Sequence, residues 1–285
     1  MTQSATAPRP IRSVDLDARD LSPVRDGIAD LYADRIDVIM IRGAFSRDAI
    51  AGVGAELDRN DRDPGWANPN ARIPSEDIQV IGTAATPTYS TPQGPTVDAY
   101  IEGAQKVQSS ASQLFAFDPA DEFKRVLTEL AGGRPVGIPP LSAGAAFSPF
   151  TVRRLTDGKG IGLHHDYHYP LPVYSDLAPT LDTTILVSFV VTLRKPQAGG
   201  ELVVYPVSRE TPDPPKQANG WAWDMAALEA RFPASHFVTD VGDMFVFASG
   251  RCLHRVAPVQ GSTARITMGG FLALDKSHDR VLFWS

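Results

Sequence analysis

The sequence predicts a mainly β protein with α-helices: a double-stranded β-helix core (jelly-roll, cupin-like) with N-terminal supporting helices. Two observations predict it. Apolar residues recur at helical spacing through much of the first half, and from Ala145 onward short β-branched and aromatic runs alternate with turn residues. Helices first and strands afterwards, with no internal repeat, suit helices that buttress a β core. At 285 residues the chain can form one domain, 1–285, with 1–13 a loose tail, 14–140 mainly helical support and lid, and 141–285 the jelly roll.

Met1–Ser13 reads as a tail because it has no periodic apolar set. Ser22-Pro23 offers an N-cap with proline at the first helical position, and Ile28, Leu31 and Tyr32 share a face, which predicts a helix over Pro23–Ala33. Ile36–Ile41 is a β-branched strand ended by Arg42-Gly43. Ser46 caps a second helix running to Arg59, with Asp48 near its positive end. Between Asn60 and Pro95 periodicity fails except at Ile78–Ile81, and so long an irregular stretch is functional or disordered. Helices follow at Thr96–Phe115 and Pro119–Ala131, the second stopped by Gly132-Gly133. Strands are predicted at Ala146–Leu155, Gly160–Asp166, Thr184–Leu193, Glu201–Val207, Asp243–Ala248, Cys252–Val256 and Ala264–Leu274. An exposed proline-bearing insertion, Arg209–Gly220, and a short helix, Trp221–Arg231, interrupt them.

A net charge of −6 argues against nucleic acid as partner, because phosphate backbones call for concentrated Lys and Arg. The one cysteine, Cys252, excludes a disulfide framework and a Cys-rich zinc site, and favours a reducing, cytoplasmic setting. Met1–Arg12 holds no apolar core of signal-peptide length, and no apolar run reaches the roughly 18 residues a membrane span requires. The expected partner is a small molecule; composition gives no oligomeric state.

Chemistry concentrates in Gly162–His168, Gly-Leu-His-His-Asp-Tyr-His. In an extended strand His164 and Asp166 point one way and His165 the other. With His254 from a distant strand they compose a 2-His-1-carboxylate set, which suits ferrous iron and leaves positions open for a chelating cosubstrate and dioxygen. Arg265, 11 residues beyond His254, shares a strand face with Thr267, and its fork suits the far carboxylate of a metal-bound keto acid such as 2-oxoglutarate. The bland alternative for Arg265 is a structural salt bridge, and for each histidine a packed or surface position. His165 reads as a packed polar residue. His168 shares parity with the pair, but Tyr169-Pro170 ends the strand, so it is a candidate contact for cosubstrate, substrate or water. Ser188 lies on the hydroxyl-bearing face of Thr184–Leu193, either near the metal or in simple alternation of core and solvent. Arg153 and Arg154 face opposite ways; one of them reaches into the pocket for a substrate or cosubstrate carboxylate, and Arg153 is carried as the candidate. Cys252 reads as a small core residue, and His236 and His278 are assigned nothing.

Thr151–Asp166, Gly199–Tyr205, Gly242-Asp243-Met244, His254 with Arg265-Ile266-Thr267, and Gly269-Gly270-Phe271-Leu272 resemble the freestanding iron/2-oxoglutarate halogenases of hapalindole and welwitindolinone biosynthesis. The similarity runs from Ile41-Arg42-Gly43-Ala44-Phe45 to Trp284-Ser285, and hydroxylases of N-succinyl amino acids have a related site. The resemblance implies a jelly roll, the cofactors Fe(II), 2-oxoglutarate and O2, and a free small-molecule substrate without a carrier protein. It also implies that Gln79–Thr83, with Ile81 and Thr83, and the helix after it cover the pocket and help to choose the substrate. One position departs: the halogenases carry glycine where Asp166 stands, and that glycine leaves room for chloride. A carboxylate there implies hydroxylation with release of succinate and CO2. Desaturation, epimerisation, cyclisation or halogenation by the same cofactor set, and a non-catalytic jelly-roll binding protein, are the alternatives.

Overall fold

In the computed structural model, which describes residues 9–57, 78–86, 92–141, 145–168, 170–175, 177–217, 220 and 222–285, strand pairing sorts the β-runs into two main sheets and a ribbon. The strands are β1 (Ser13–Asp17), β2 (Val38–Arg42), β3 (Gln79–Ile81), β4 (Val136–Gly137), β5 (Thr151–Leu155), β6 (Ile161–His164), β7 (Val187–Arg194), β8 (Ala198–Gly199), β9 (Leu202–Tyr205), β10 (Ser235–Phe237), β11 (Met244–Phe247), β12 (Leu253–Val256), β13 (Val259–Gln260), β14 (Arg265–Leu274) and β15 (Val281–Trp284). The helices are α1 (Gly27–Tyr32), α2 (Arg47–Ile50), α3 (Val53–Glu56), α4 (Val97–Leu114), α5 (Pro119–Glu129) and α6 (Met225–Arg231). Nine strands form the large sheet, in the order β1-β2-β11-β7-β14-β15-β4 with β5 joined to β14 and β3 to β5, and four form the small sheet, β10-β9-β12-β6. β14 spans both parts of the large sheet: Arg265–Gly269 pair with β5, and Phe271–Leu274 with β15.

Two-residue alternation decides what each face of the large sheet does. Val187, Phe189, Val191 and Leu193 of β7, Met244 and Val246 of β11, and Ile266 and Met268 of β14 pack against Phe123, Val126 and Leu127 of α5 and against Val107 of α4. Phe189 meets Phe123 edge-on at 4.8 Å and Phe283 at 5.9 Å, contacts that add to the area term for burying large apolar rings. On the opposite face, Val38, Met40, Phe245 and Phe247 meet Leu202 and Val204 of the small sheet, and this layer between the sheets opens into the polar cavity described below.

The sequence places the helix starts at α4 and α5 well, because the capping chemistry is local. Thr96 accepts from the Ala99 amide at 3.2 Å and Asp118 from the Ala120 amide at 2.8 Å, with Pro119 following. Three expectations change where tertiary bonds override local signals. Pro23–Ala33 becomes a short 3-10 turn followed by α1, since the Ile28 and Gly132 amides bridge this turn to the end of α5, at Leu130 and Arg25 carbonyls 3.1 and 2.8 Å away. The helix expected from Ser46 breaks into α2 and α3 around Gly52, with Gly54 pressed against Arg194; Asp58 and Arg59 lie outside the described residues. Most of Asn60–Pro95 also lies outside them, but Ile78–Ile81 yields β3, paired with β5.

The loose tail is the third correction. Met1–Pro8 lie outside the described residues, but Arg9 and Arg12 are held, and Ser13 begins β1, which pairs in parallel with β2. The anchor is Asp37, whose fully buried carboxylate accepts from Arg9 at 2.6 and 2.9 Å, from the Arg12 amide at 2.9 Å and from Arg251 at 3.3 Å. Burial alone would raise its pKa, but the hydrogen bonds from Arg9 and Arg12 outweigh that and hold the carboxyl well below the usual range. Among the described residues no helix is long and apolar enough to cross a membrane.

Asp37→Asn removes the buried one of two carboxylates that Arg9, Arg12 and Arg251 share, leaving each its pair with the half-exposed Asp34 at 2.7, 2.6 and 3.0 Å. It should therefore cost stability, but less than the roughly 3–5 kcal/mol seen when a buried charge is left with no partner. A group with a depressed folded pKa contributes above its unfolded pKa and loses that contribution as pH falls. Urea unfolding should therefore show a deficit for Asp37→Asn near neutrality that narrows in acid. An equal midpoint at neutral pH would contradict the anchoring role.

Candidate active site

Antiparallel pairing of β6 with β12 sets His164 directly opposite His254, so both side chains leave the same face of the small sheet. Their ring centroids lie 4.2 Å apart. Each Nδ1 is tied to a main-chain carbonyl, His164 to Gly162 at 2.7 Å and His254 to Cys252 at 2.9 Å. An Nδ1–H that donates backward turns Nε2 toward the cavity in both rings, where each neutral ring presents its lone pair. Burial, with His164 alongside, lowers the pKa of His254 to about 3, so that imidazole stays neutral.

β6 stops at His164, so strand parity does not aim Asp166. Its main-chain N–H donates to the Ser249 carbonyl at 3.1 Å, and its carbonyl accepts from Arg209 at 2.5 Å. The carboxylate then lies 3.5 Å from His164 Nε2 and 3.8 Å from His254 Nε2, and one potential donor atom from each residue falls within 4.8 Å of the other two. Ser188, across the cavity on β7, donates to Asp166 Oδ2 at 2.7 Å and sits 2.8 Å from the Ser249 hydroxyl. Burial would raise the Asp166 pKa, but its pairing with His164 and the hydrogen bond from Ser188 outweigh that and hold the carboxyl far below the ordinary range.

Arg265, Thr267 and Gly269 of β14, Arg153 of β5, and Ser188 and Val190 of β7 build the opposite wall. Arg153 pairs with Thr267, so both point inward, and Thr267 pairs with Thr192. Arg265 is 5% exposed, and its guanidinium lies 3.4 Å from Thr267 Oγ1. Burial and then the neighbouring Arg153 depress its pKa to about 10, which still leaves it a cation. Among the described residues no carboxylate lies within ion-pairing distance of it. Burying such a charge without an anion is costly, so the cavity suits an anionic ligand. Ile161, Leu202, Phe245, Phe247, Val256 and Phe271 complete an apolar lining.

The structure thus brings together His164, Asp166, His254, Arg265, Thr267, Arg153 and Ser188 around one cavity, and places the remaining candidates elsewhere. Ile81 turns away from the cavity, since it pairs with Val152 and is buried in the layer under the helices; on β3 it is Val80 that pairs with Arg153. Thr83 packs against Gly103 of α4. His168 lies beyond the end of β6, with Nε2 3.2 Å from the Ile185 carbonyl and its ring near Trp284. His165 is buried and donates to the Val207 carbonyl at 2.9 Å. Cys252 is buried in the layer between the sheets. Ser249 is not among the expected residues: the turn before β12 carries no spacing signal, and only the fold reveals that its carbonyl accepts from the Asp166 amide and its hydroxyl from Ser188.

The same fold occurs in SnoN, a non-haem α-ketoglutarate-dependent epimerase from nogalamycin biosynthesis, with 14% identity, a TM-score of 0.50, and 87% of this chain and 85% of that one covered. It occurs also in SnoK, a non-haem α-ketoglutarate-dependent carbocyclase of the same biosynthesis, with 13% identity, a TM-score of 0.50, and 90% and 87% covered. An N-substituted L-amino acid dioxygenase from Burkholderia ambifaria aligns with 17% identity, a TM-score of 0.48 and 90% of each chain covered. The chain thus shares the fold class of these α-ketoglutarate-dependent enzymes, and a His-Asp-His cluster able to hold a metal ion stands in its cavity. No curated protein matches the chain. Within that class, the chain belongs to the carrier-protein-independent halogenase WelO5 family, whose model matches residues 10–285.

Because Ser188 restrains the carboxylate oxygen that faces His254, Ser188→Ala should weaken divalent-cation binding by roughly 10–100-fold, the usual effect of losing a ligand's supporting hydrogen bond. Equilibrium dialysis against Co(II) measures this directly. Undiminished affinity would show that Asp166 needs no such restraint.

Proposed function

We propose that the chain is an Fe(II)- and 2-oxoglutarate-dependent hydroxylase of an unactivated C–H bond in a freestanding small metabolite, amino-acid-derived or carboxylate-bearing. Succinate and CO2 are released. The observation that carries the reading is Asp166: where the resembling halogenases have glycine, this chain has an ionised carboxylate fastened by Ser188 and by the main-chain bond to Ser249. A carboxylate in that place takes the room and the negative charge a halide would require.

His164 and His254 would hold the iron through Nε2 and Asp166 through its carboxylate, a facial set of the kind ferrous oxygenases use. Arg265 would pair with the distal carboxylate of 2-oxoglutarate, with Thr267 beside it. The bound iron and keto acid supply the oxidising power for hydrogen abstraction. The protein's part is to fix the ligands, to present one C–H bond, and to keep water from the reacting centre with Val190, Phe245 and Phe247.

The test is turnover with Fe(II), 2-oxoglutarate and air on a panel of N-substituted amino acids and related small carboxylates, following succinate and product mass. Gain of one oxygen is expected, and replacement of hydrogen by chlorine in the wild-type protein would contradict the reading. His164→Ala and His254→Ala should abolish turnover. Arg265→Ala should raise the 2-oxoglutarate requirement by roughly 10–100-fold, the loss of a charge-assisted bond of about 1.5–3 kcal/mol. In Asp166→Gly hydroxylation should collapse, and its survival would remove the carboxylate from the ligand set.

A further inference from the structure

Two guanidiniums, Arg153 and Arg265, enter a cavity that holds one carboxylate, Asp166. On the proposed reading, a divalent cation and a doubly charged keto acid cancel, so one positive charge stays in excess. Arg265 has its partner in the distal end of the keto acid, but Arg153 has none. Among the described residues Arg153 makes no hydrogen bond and no ion pair, and burial depresses its pKa with only the field of Asp166 opposing. Arg153 is half-buried where Arg265 is buried, and a guanidinium drawn into a cavity away from bulk water without a partner is costly enough that an anionic ligand would relieve it.

Register fixes where that anion would sit. Arg153 pairs with Thr267 on one side and Val80 on the other, two residues along β14 from Arg265. Its charge acts on both Asp166 and His164, whereas Arg265 is influenced by Arg153 and Glu201. Arg153 therefore lines the same cavity wall as Arg265, one inward-facing position along, and the field of Asp166 bears on it rather than on Arg265. We propose that Arg153 is a second carboxylate-binding residue of this cavity, serving the metal end as Arg265 serves the far end. The proposal rests on the 2-oxoglutarate reading above. A carboxylate there has two sources, the chelating end of the keto acid or an acid group on the substrate close to the oxidised carbon.

Calorimetric titration of the Fe(II)-loaded protein without oxygen separates them. The probes are 2-oxoglutarate, 2-oxobutanoate, which keeps only the chelating carboxylate, and N-acetyl-L-leucine added to the keto-acid-loaded protein. If Arg153 takes the chelating carboxylate, Arg153→Gln should weaken both keto acids by about tenfold or more, while Arg265→Gln weakens 2-oxoglutarate alone. If it takes the substrate's acid group, both keto acids should bind as in the wild type and N-acetyl-L-leucine should lose affinity to the same extent. Arg153→Lys, which keeps the charge without the fork, should recover part of either loss. Unchanged binding of all three probes to Arg153→Gln would overturn the proposal. So would a lower melting temperature of the ligand-free variant, because removing an unpaired, half-buried charge should leave stability equal or higher. Wild-type protein that fails to bind 2-oxoglutarate would sink the functional reading itself, whereas a response confined to Arg265→Gln would sink only the role of Arg153.

Discussion

Direct opposition of His164 and His254 across two antiparallel strands determines where every other group in the cavity has to stand. Residues facing each other on one side of such a pair have no freedom to separate, so the two rings share a cavity by register alone. Hydrogen bonds from Nδ1 to Gly162 and Cys252 then settle the tautomer of each ring without help from a ligand. The carboxylate is fixed differently, by a loop amide and by a serine reaching over from the large sheet. The cluster therefore depends on the distance between the two sheets as well as on the small sheet itself. Whatever holds the sheets together, from the apolar layer around Phe245 and Phe247 to the turn carrying Ser249, also holds the site.

Charge explains the opposite wall. Asp166 is solvated by hydrogen-bond donors, so its burial is compensated within the protein. Arg265 and Arg153 are not compensated to the same degree, and the fold keeps them at a cost that an anionic ligand would repay. The large sheet affords this because its other face is almost wholly apolar and packs on α4 and α5. One face of the same strands supplies cohesion and the other supplies chemistry.

Much of this was legible in the sequence for reasons that are local. Two-residue alternation along β7 and β14 assigns Ser188 to one face and Phe189 to the other, and Arg265 with Thr267 apart from Ile266, without any tertiary knowledge. Alternation does not place Asp166, since β6 has already ended; the bond from its amide to Ser249 and the bond from Ser188 bring it to the same cavity. Where partners are distant in sequence the reading failed. Nothing in Arg9 or Arg12 signals a buried Asp37, nothing in Ser249 signals Asp166, and the one-residue parity that makes Val80 rather than Ile81 the neighbour of Arg153 follows only from the pairing of β3 with β5. Composition and spacing also leave the substrate open, because the lining that would select it is apolar and unspecific in type.

The measurement closest to the central claim is an absorbance titration of the protein with Fe(II) and 2-oxoglutarate in the absence of oxygen. A ferrous ion gripped by His164, Asp166 and His254 and chelated by the keto acid should give a lilac metal-to-ligand charge-transfer band that saturates at one iron per chain and is missing from His254→Ala. A wild-type mixture that stays colourless although both components bind, or a band that persists in His254→Ala, would contradict the account.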